Sequence, residues 1–234
     1  MAYETHSNGS WFDETNLVAY YKLEDANDSS GNGYNLTNTH SVPFVSGKFS
    51  NCASFTTGSS QSLYISNNFG ILGTTATISI WYNPSTAPAN GVYYSLVVQN
   101  ENTNKTYNII YYYTSGTSNI ILFQRGRYNN ASTEAPFQTA LTIGNWYNLV
   151  YVYDGTNLNG YINGKLVAGP AAASGAGSGV ATDNFVIGTN TVPGSQFING
   201  KIDETLVFTR AWTAGEVAKY YENSKGQFYG QAAF

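Results

Sequence analysis

Alternation constrains this chain more than any other feature. Apolar and polar residues alternate in short runs, and clusters of Gly, Asn, Ser and Thr separate the runs almost from end to end. A period of two puts every second side chain on one face of an extended strand, whereas a helix needs a spacing near 3.6. The runs predict strands at Leu17–Leu23, Ala53–Phe55, Ser62–Ser66, Ala76–Asn83, Ser95–Gln99 and Tyr107–Tyr113. Five more are expected at Ile120–Arg125, Tyr147–Tyr153, Asn159–Ile162, Asn184–Ile187 and Ile202–Phe208. Asp154-Gly155 and Asn163-Gly164 accept positive φ in tight hairpin turns, so residues 156–162 must be the middle strand of a meander. Ala168–Gly179, rich in small residues, predicts a flexible surface loop.

The side chains agree with strands. Aromatic residues make up 15% of the chain, and they suit a pleated, half-buried surface. Charged residues are only 10%, far below the quarter or so usual in globular domains, so little is available to coat helices. One helix is expected. Thr213 and Glu216 form a capping box, Val217, Tyr220 and Tyr221 follow as an apolar stripe, and Gly226 offers a stop. With no βαβ alternation, the pattern gives an all-β antiparallel two-sheet sandwich with one short C-terminal helix. The domain is expected over residues 17–226, with an N-terminal arm at 1–16 and a C-terminal tail at 227–234.

Several partner classes are excluded. The net charge is −4, and the nearest thing to a basic stripe is Arg125-Gly-Arg127, so nucleic acid is not expected. No apolar stretch approaches the roughly 20 residues of a membrane helix, so membrane insertion is not expected. Cys52, alone, is read as a buried structural thiol. Met1–Thr5 shows neither the basic start nor the apolar run of a leader.

Four stretches in a fixed order carry a resemblance. They are Leu17–Leu23 with Asn27–Gly33, then Gly47–Phe49 with Ala53–Phe55 and Ile78–Trp81. Gly144–Trp146 through Gly155 with Tyr161–Gly164 follow, and Gly200–Glu204 through Ala211 lead into the capped helix. In these the chain resembles the laminin-G-like jelly-roll family of the concanavalin A-like lectin/glucanase superfamily. The resemblance implies a two-sheet jelly roll, often with one calcium ion, and glycan or protein recognition at a sheet face or loop edge. It leaves function open, because this fold hosts lectins, adhesion modules and hydrolases.

The carboxylates argue against catalysis. Glucanases of this fold carry an E-x-D-x-E strand, since only alternate residues share a face, and this sequence has none. Asp203 and Glu204 are adjacent and are expected on opposite faces. His6 and His40 lie in no partner pattern, so a glycoside hydrolase ranks third among the readings. Calcium is a stronger expectation. Residues 24–33 form an oxygen-rich loop with Glu24 and Asp28, and the resemblance adds Asp203 as a further contributor; the alternative is that Asp28 and Asn27 only form Asx turns.

For a ligand, the aromatics are sorted by face. Trp81 and Trp146 sit among strand residues and are read as core, with Trp212 a lid beside the helix cap. Tyr111 and Tyr113 fall on one face of their strand, opposite Tyr112. With Arg125, Arg127 and Tyr128 they could make a glycan platform. The first expectation is therefore a non-catalytic carbohydrate-binding or adhesion module, extracellular or at a cell or virion surface. The second is a structural protein of a virion or surface assembly, such as a phage tail or capsid decoration component. Its lone domain, its terminal arms and the missing leader motivate that reading.

Overall fold

A computed structural model describes residues 12–67, 69–71, 75–101, 105–113, 119–128, 131–173, 184–192 and 194–226. His6, most of the predicted N-terminal arm, residues 174–179 of the small-residue segment and the C-terminal tail lie outside the described residues. The chain opens with β1 (Leu17–Tyr21), β2 (Thr37–Thr39), β3 (Phe44–Ser46), β4 (Asn51–Phe55) and β5 (Ser62–Ser66). Next come β6 (Ala76–Pro84), β7 (Tyr93–Glu101), β8 (Lys105–Tyr112), β9 (Ile120–Tyr128) and β10 (Ala131–Gln138). The meander β11 (Tyr147–Tyr153), β12 (Asn157–Ile162) and β13 (Lys165–Ala172) precedes β14 (Asn184–Ile187), β15 (Gly200–Phe208) and helix α1 (Ala214–Ser224).

These strands form two antiparallel sheets. The first runs β13-β12-β11-β6-β15-β4-β3, with β1 also paired to β15; the second runs β10-β9-β8-β7-β14-β5-β2. The main core lies between them. Ile78, Ile80 and Tyr82 of β6 and Leu149, Tyr151 and Tyr153 of β11 face Tyr111, Ile121, Phe123 and Phe185 of the second sheet. Trp81 and Tyr82 on consecutive positions of β6 are both buried, because the first sheet is covered on its outer face too. There α1 and Phe12 close a second cluster over Val150, Val152, Leu206, Phe208 and Trp212. Strands covered on both faces lose clean alternation, which is why β6 reads as a nearly continuous buried run.

Helix α1 begins as its sequence dictates. Thr213 Oγ1 accepts the Glu216 N–H at 3.2 Å, and Glu216 Oε2 accepts the Thr213 N–H at 2.7 Å. Arg210 then pairs with Glu216 at 2.6 Å, anchoring the helix start to the end of β15.

Four strands were missed. β2 and β3 are three residues each, too short to show a period. β10 contains Pro136 and β13 contains Pro170; each is the edge strand of its sheet, where a residue without an N–H is tolerated. β13 also corrects the loop expected at 168–179, because Ala168, Ala171 and Ala172 pair with Gly160, Leu158 and Asn157 of β12.

Candidate functional site

Two residues of the expected platform, Tyr111 and Arg125, are buried. β8 turns Tyr111 into the core, fully buried, with its hydroxyl accepting hydrogen bonds from Asn119 Nδ2 at 2.7 Å and from the Leu141 N–H at 3.3 Å. Tyr113, half-buried, lies beyond the end of β8 in an isolated bridge to Asn90. Arg125 is also directed inward, its guanidinium 3.7 Å from the centre of the Tyr153 ring. The side chains of Arg127 and Tyr128 lie outside the described part of β9. The outward residue is Tyr112, stacked on Tyr93 at 4.9 Å and 16°. The parity argument separated the two faces correctly, but burial chose the opposite one.

The calcium residues do not converge. Asp28 uses both oxygens on its own loop: Oδ1 accepts from the Tyr20 and Ser30 N–H groups, Oδ2 from Ser30 Oγ and the Tyr34 N–H. That is an Asx-turn arrangement. Glu24 accepts the Asn51 N–H at 3.1 Å. Asp203 Oδ2 accepts the N–H groups of Lys48 at 2.9 Å and Phe49 at 3.3 Å. Among the described residues, no three His, Cys, Asp or Glu side chains gather to hold a metal. The three carboxylates therefore do not gather into one ligand set.

Asp203 organises its surroundings instead. Gly47 leaves room for it, since a Cβ there would stand 2.7 Å from Asp203 Oδ2, and the following turn offers it two N–H groups. A bulge lies between Asp203 and Leu206, with Glu204 at φ +49. The charges of both carboxylates raise the hydroxyls of Tyr20 and of Tyr220 in α1, after burial itself. Burial pushes Glu204 up to about 8, the Asp203 charge adding to it and a hydrogen bond from the Tyr20 hydroxyl opposing it. Burial likewise raises Asp203 to about 7 against the pull of the Lys48 and Phe49 N–H groups.

The turn held by Asp203 carries Lys48 to the floor of a pocket of about 340 Å³. Lys48 is 1% exposed; its Nζ donates to the Lys225 carbonyl at 3.0 Å and lies 4.4 Å and 4.7 Å from the Trp81 and Phe49 ring centres. Burial brings its ammonium down to about 8, with Asp203 opposing the shift. Tyr221 at the end of α1 stacks on Trp81 at 5.9 Å and 24° to form one wall, and Lys225 follows it.

Two turns build the other wall. Asn163 and Gly164 have φ values of +51 and +78, closing the two-residue hairpin between β12 and β13 as the sequence predicted. Glycine suits position 164, because its φ is costly for other residues and a Cβ would press on the Tyr221 side chain at 3.0 Å. Asn163 Oδ1 accepts the Asn148 N–H at 2.9 Å, which fixes its amide beside the pocket. Opposite, Gly144 takes φ +81, Asn83 Nδ2 donates to its carbonyl at 2.6 Å, and Tyr147 accepts the Thr142 N–H at 2.9 Å.

This second turn ends in Trp146, which corrects the core assignment made for it. Trp146 precedes β11, is half-exposed, lines the pocket, and its indole enters no hydrogen bond or ring pair among the described residues. Rings on three sides, two amides and two ammonium groups make a cleft of mixed character, aromatic faces interleaved with polar groups that can fix orientation. No Asp or Glu lines it. The site was missed because Trp146 was counted as strand. A signal existed: residues just before β11 and just after β12 are neighbours across an antiparallel pair, so Trp146 and the Asn163-Gly164 turn must meet.

Comparison with known proteins completes the description. Domain 4 of AbnA, a GH43 extracellular arabinanase from Geobacillus stearothermophilus solved in complex with arabinotriose, is 19% identical at a TM-score of 0.67, covering 88% of this chain and 98% of that domain. The binding domain of Paraclostridial Mosquitocidal Protein 1 is 18% identical (TM-score 0.69), covering 89% of this chain and 52% of that one. The binding domain of botulinum neurotoxin DC in complex with SialylT is 14% identical (TM-score 0.66), covering 88% and 51%. The chain thus spans about half the length of the toxin domains, and at these identities the likeness is one of fold. No curated protein sequence matches. No helix among the described residues is long and apolar enough to cross a membrane. A family profile described as the Concanavalin A-like lectin/glucanases superfamily matches residues 56–218, and to that superfamily, in its laminin-G-like form, the chain belongs.

Proposed function

We propose that the protein is a non-catalytic carbohydrate-binding module that works outside the cell, with the pocket beside Trp146 as its glycan site. The observation that carries this reading is the half-exposed, unpartnered indole of Trp146 at the rim of a cleft whose other walls are Tyr147 and Tyr221. A sugar ring offers C–H groups to an aromatic face and hydroxyls to amides, and Asn145 and Asn163 supply the amides. The lining contains no carboxylate, so the pair of acids that glycoside hydrolysis uses has no counterpart there. The arabinanase domain bound to arabinotriose and the toxin domain bound to SialylT add support from the same fold.

Affinity gel electrophoresis over a panel of soluble polysaccharides tests the reading. At least one polymer should retard the wild-type chain, and Trp146→Ala should migrate freely while keeping its melting temperature. Equal retardation of Trp146→Ala, or no retardation by any polymer, would count against it.

A further inference from the structure

We infer that the glycan taken by this pocket is anionic, its sugar carrying a carboxylate or a sulfate ester. The inference rests on the carbohydrate-binding reading and adds the charge class of the ligand.

The observation is the concentration of cations. The whole chain has ten Lys and Arg against fourteen Asp and Glu, yet two of those ten line one nine-residue pocket and no acid does. Lys48 stands at the floor and Lys225 at the edge, linked through the Lys48 Nζ hydrogen bond to the Lys225 carbonyl. Both ammonium groups sit over rings of the site, Lys48 over Trp81 and Lys225 at 5.7 Å from Tyr221. The nearest acids lie outside the lining. Asp203 draws on Lys48 from the sheet below, and Glu222 pairs with Lys225 at 2.5 Å on the exposed side of α1. A ligand entering beside Trp146 therefore meets Lys225, whose charge Glu222 shares, at the edge and the Lys48 ammonium at the floor, with no acid in the lining. A charge held at 1% exposure costs desolvation that a neutral sugar does nothing to offset, and an anion in the cleft restores part of it.

The test compares polymers that differ only in charge. Polygalacturonate is set against its fully methyl-esterified form, and dextran sulfate against dextran, so that the two arms separate uronate from sulfate. Wild-type protein should be half-retarded by one charged polymer at a concentration about tenfold below its neutral partner, and the preference should shrink at about 0.5 M salt. Lys225→Met, at an exposed position, should reduce the preference several-fold. Lys48→Arg should keep it, and Lys48→Met should lose it; Lys225→Met carries the conclusion if the buried variant does not fold. Trp146-dependent retardation by neutral polymers alone, or a charge preference unchanged in Lys225→Met, overturns the anionic assignment and leaves the binding module standing. Absence of retardation by every polymer overturns the binding module itself.

Discussion

Glu204 lies under α1 with 4% exposure, its carboxyl hydrogen-bonded to Tyr20 and close to the Asp203 charge. In the unfolded chain it titrates near the ordinary value of about 4.3, while in the folded protein burial and Asp203 hold it up at about 8. A carboxyl raised on folding binds its proton more tightly in the native state. Its contribution is fully present below pH 4 or so and is lost as pH climbs toward 8. Asp203, raised to about 7, acts in the same direction, and the two titrate as a pair. At about 1.4 kcal/mol per pKa unit, Glu204 alone withdraws on the order of 5 kcal/mol across that window, and Asp203 adds to it. For a chain of this size each kcal/mol moves the melting temperature by about 2–4 °C.

Melting temperatures followed by circular dichroism should therefore fall by about 10–20 °C from pH 4.5 to 8.5. Glu204→Gln keeps a hydrogen-bonding group beside Tyr20 and carries no charge. It should match wild type near pH 5, exceed it near pH 8.5, and show a flatter profile. The acid limb has other owners. Burial would raise Asp28, Asp154 and Glu216, but hydrogen bonds outweigh it and lower all three, so their stabilisation disappears as pH falls below about 4. A wild-type melting temperature that rises from pH 5 to 8, or a Glu204→Gln profile parallel to wild type, would refute the reasoning.

Other outcomes follow from particular contacts. Phe12→Ala removes a ring that meets Tyr20, Phe208 and Tyr220 edge-on at 5.6–5.9 Å, and denaturant titration should show a loss of about 3 kcal/mol. Gly160→Ala would push a Cβ to 2.1 Å from the Phe123 ring, so a loss of about 1–3 kcal/mol is expected by the same titration. Chelator or added Ca²⁺ should leave the melting temperature unchanged, since Glu24, Asp28 and Asp203 hold separate backbone N–H groups; a rise with Ca²⁺ would restore the calcium expectation. Tyr112→Ala, on the outer face of the second sheet, should leave polysaccharide retardation intact while Tyr221→Ala weakens it.

The residues themselves explain what could be read from the sequence. Strands such as β5, β11 and β14 were placed because each has one buried face at a period of two, or a short apolar run closed by turn residues. The capping box and the Asn163-Gly164 hairpin were legible because their chemistry is local: a side chain and a backbone group three residues apart, or two consecutive positive φ values. What failed depended on contacts distant in sequence. Nothing near Tyr111 reveals that Asn119 and Leu141 wait for its hydroxyl inside the core. Nothing near Asp203 reveals a turn 155 residues earlier whose N–H groups it collects. Nor does Lys48 look buried from its neighbours, because the rings that receive it are Trp81 and Phe49 and its acceptor is the carbonyl of Lys225.

The location of the pocket follows from how the first sheet is covered. α1 ends at Ser224 and shields only part of the outer face, so the row that begins at Trp81 meets Tyr221, the last ring of the helix, and then open space. The covering layer stops there, leaving the β12–β13 hairpin turn, the turn that enters β11 from the other sheet and one helix end around a strip of sheet. The turn residues that close the gap, Asn145, Trp146 and Asn163, add little to the core between the sheets. Substitutions at these positions can change what the cleft accepts without disturbing the sandwich, whereas Asp203 and Gly47 cannot vary freely because they fix the Lys48 turn from below. Specificity is thus carried by the exposed turns, and the floor that holds the positive charge is tied to the fold. Replacing Asn145 or Asn163 should alter which sugars bind while the preference for charged over neutral polymers persists; a charge preference that vanished with Asn163→Ala would contradict that division.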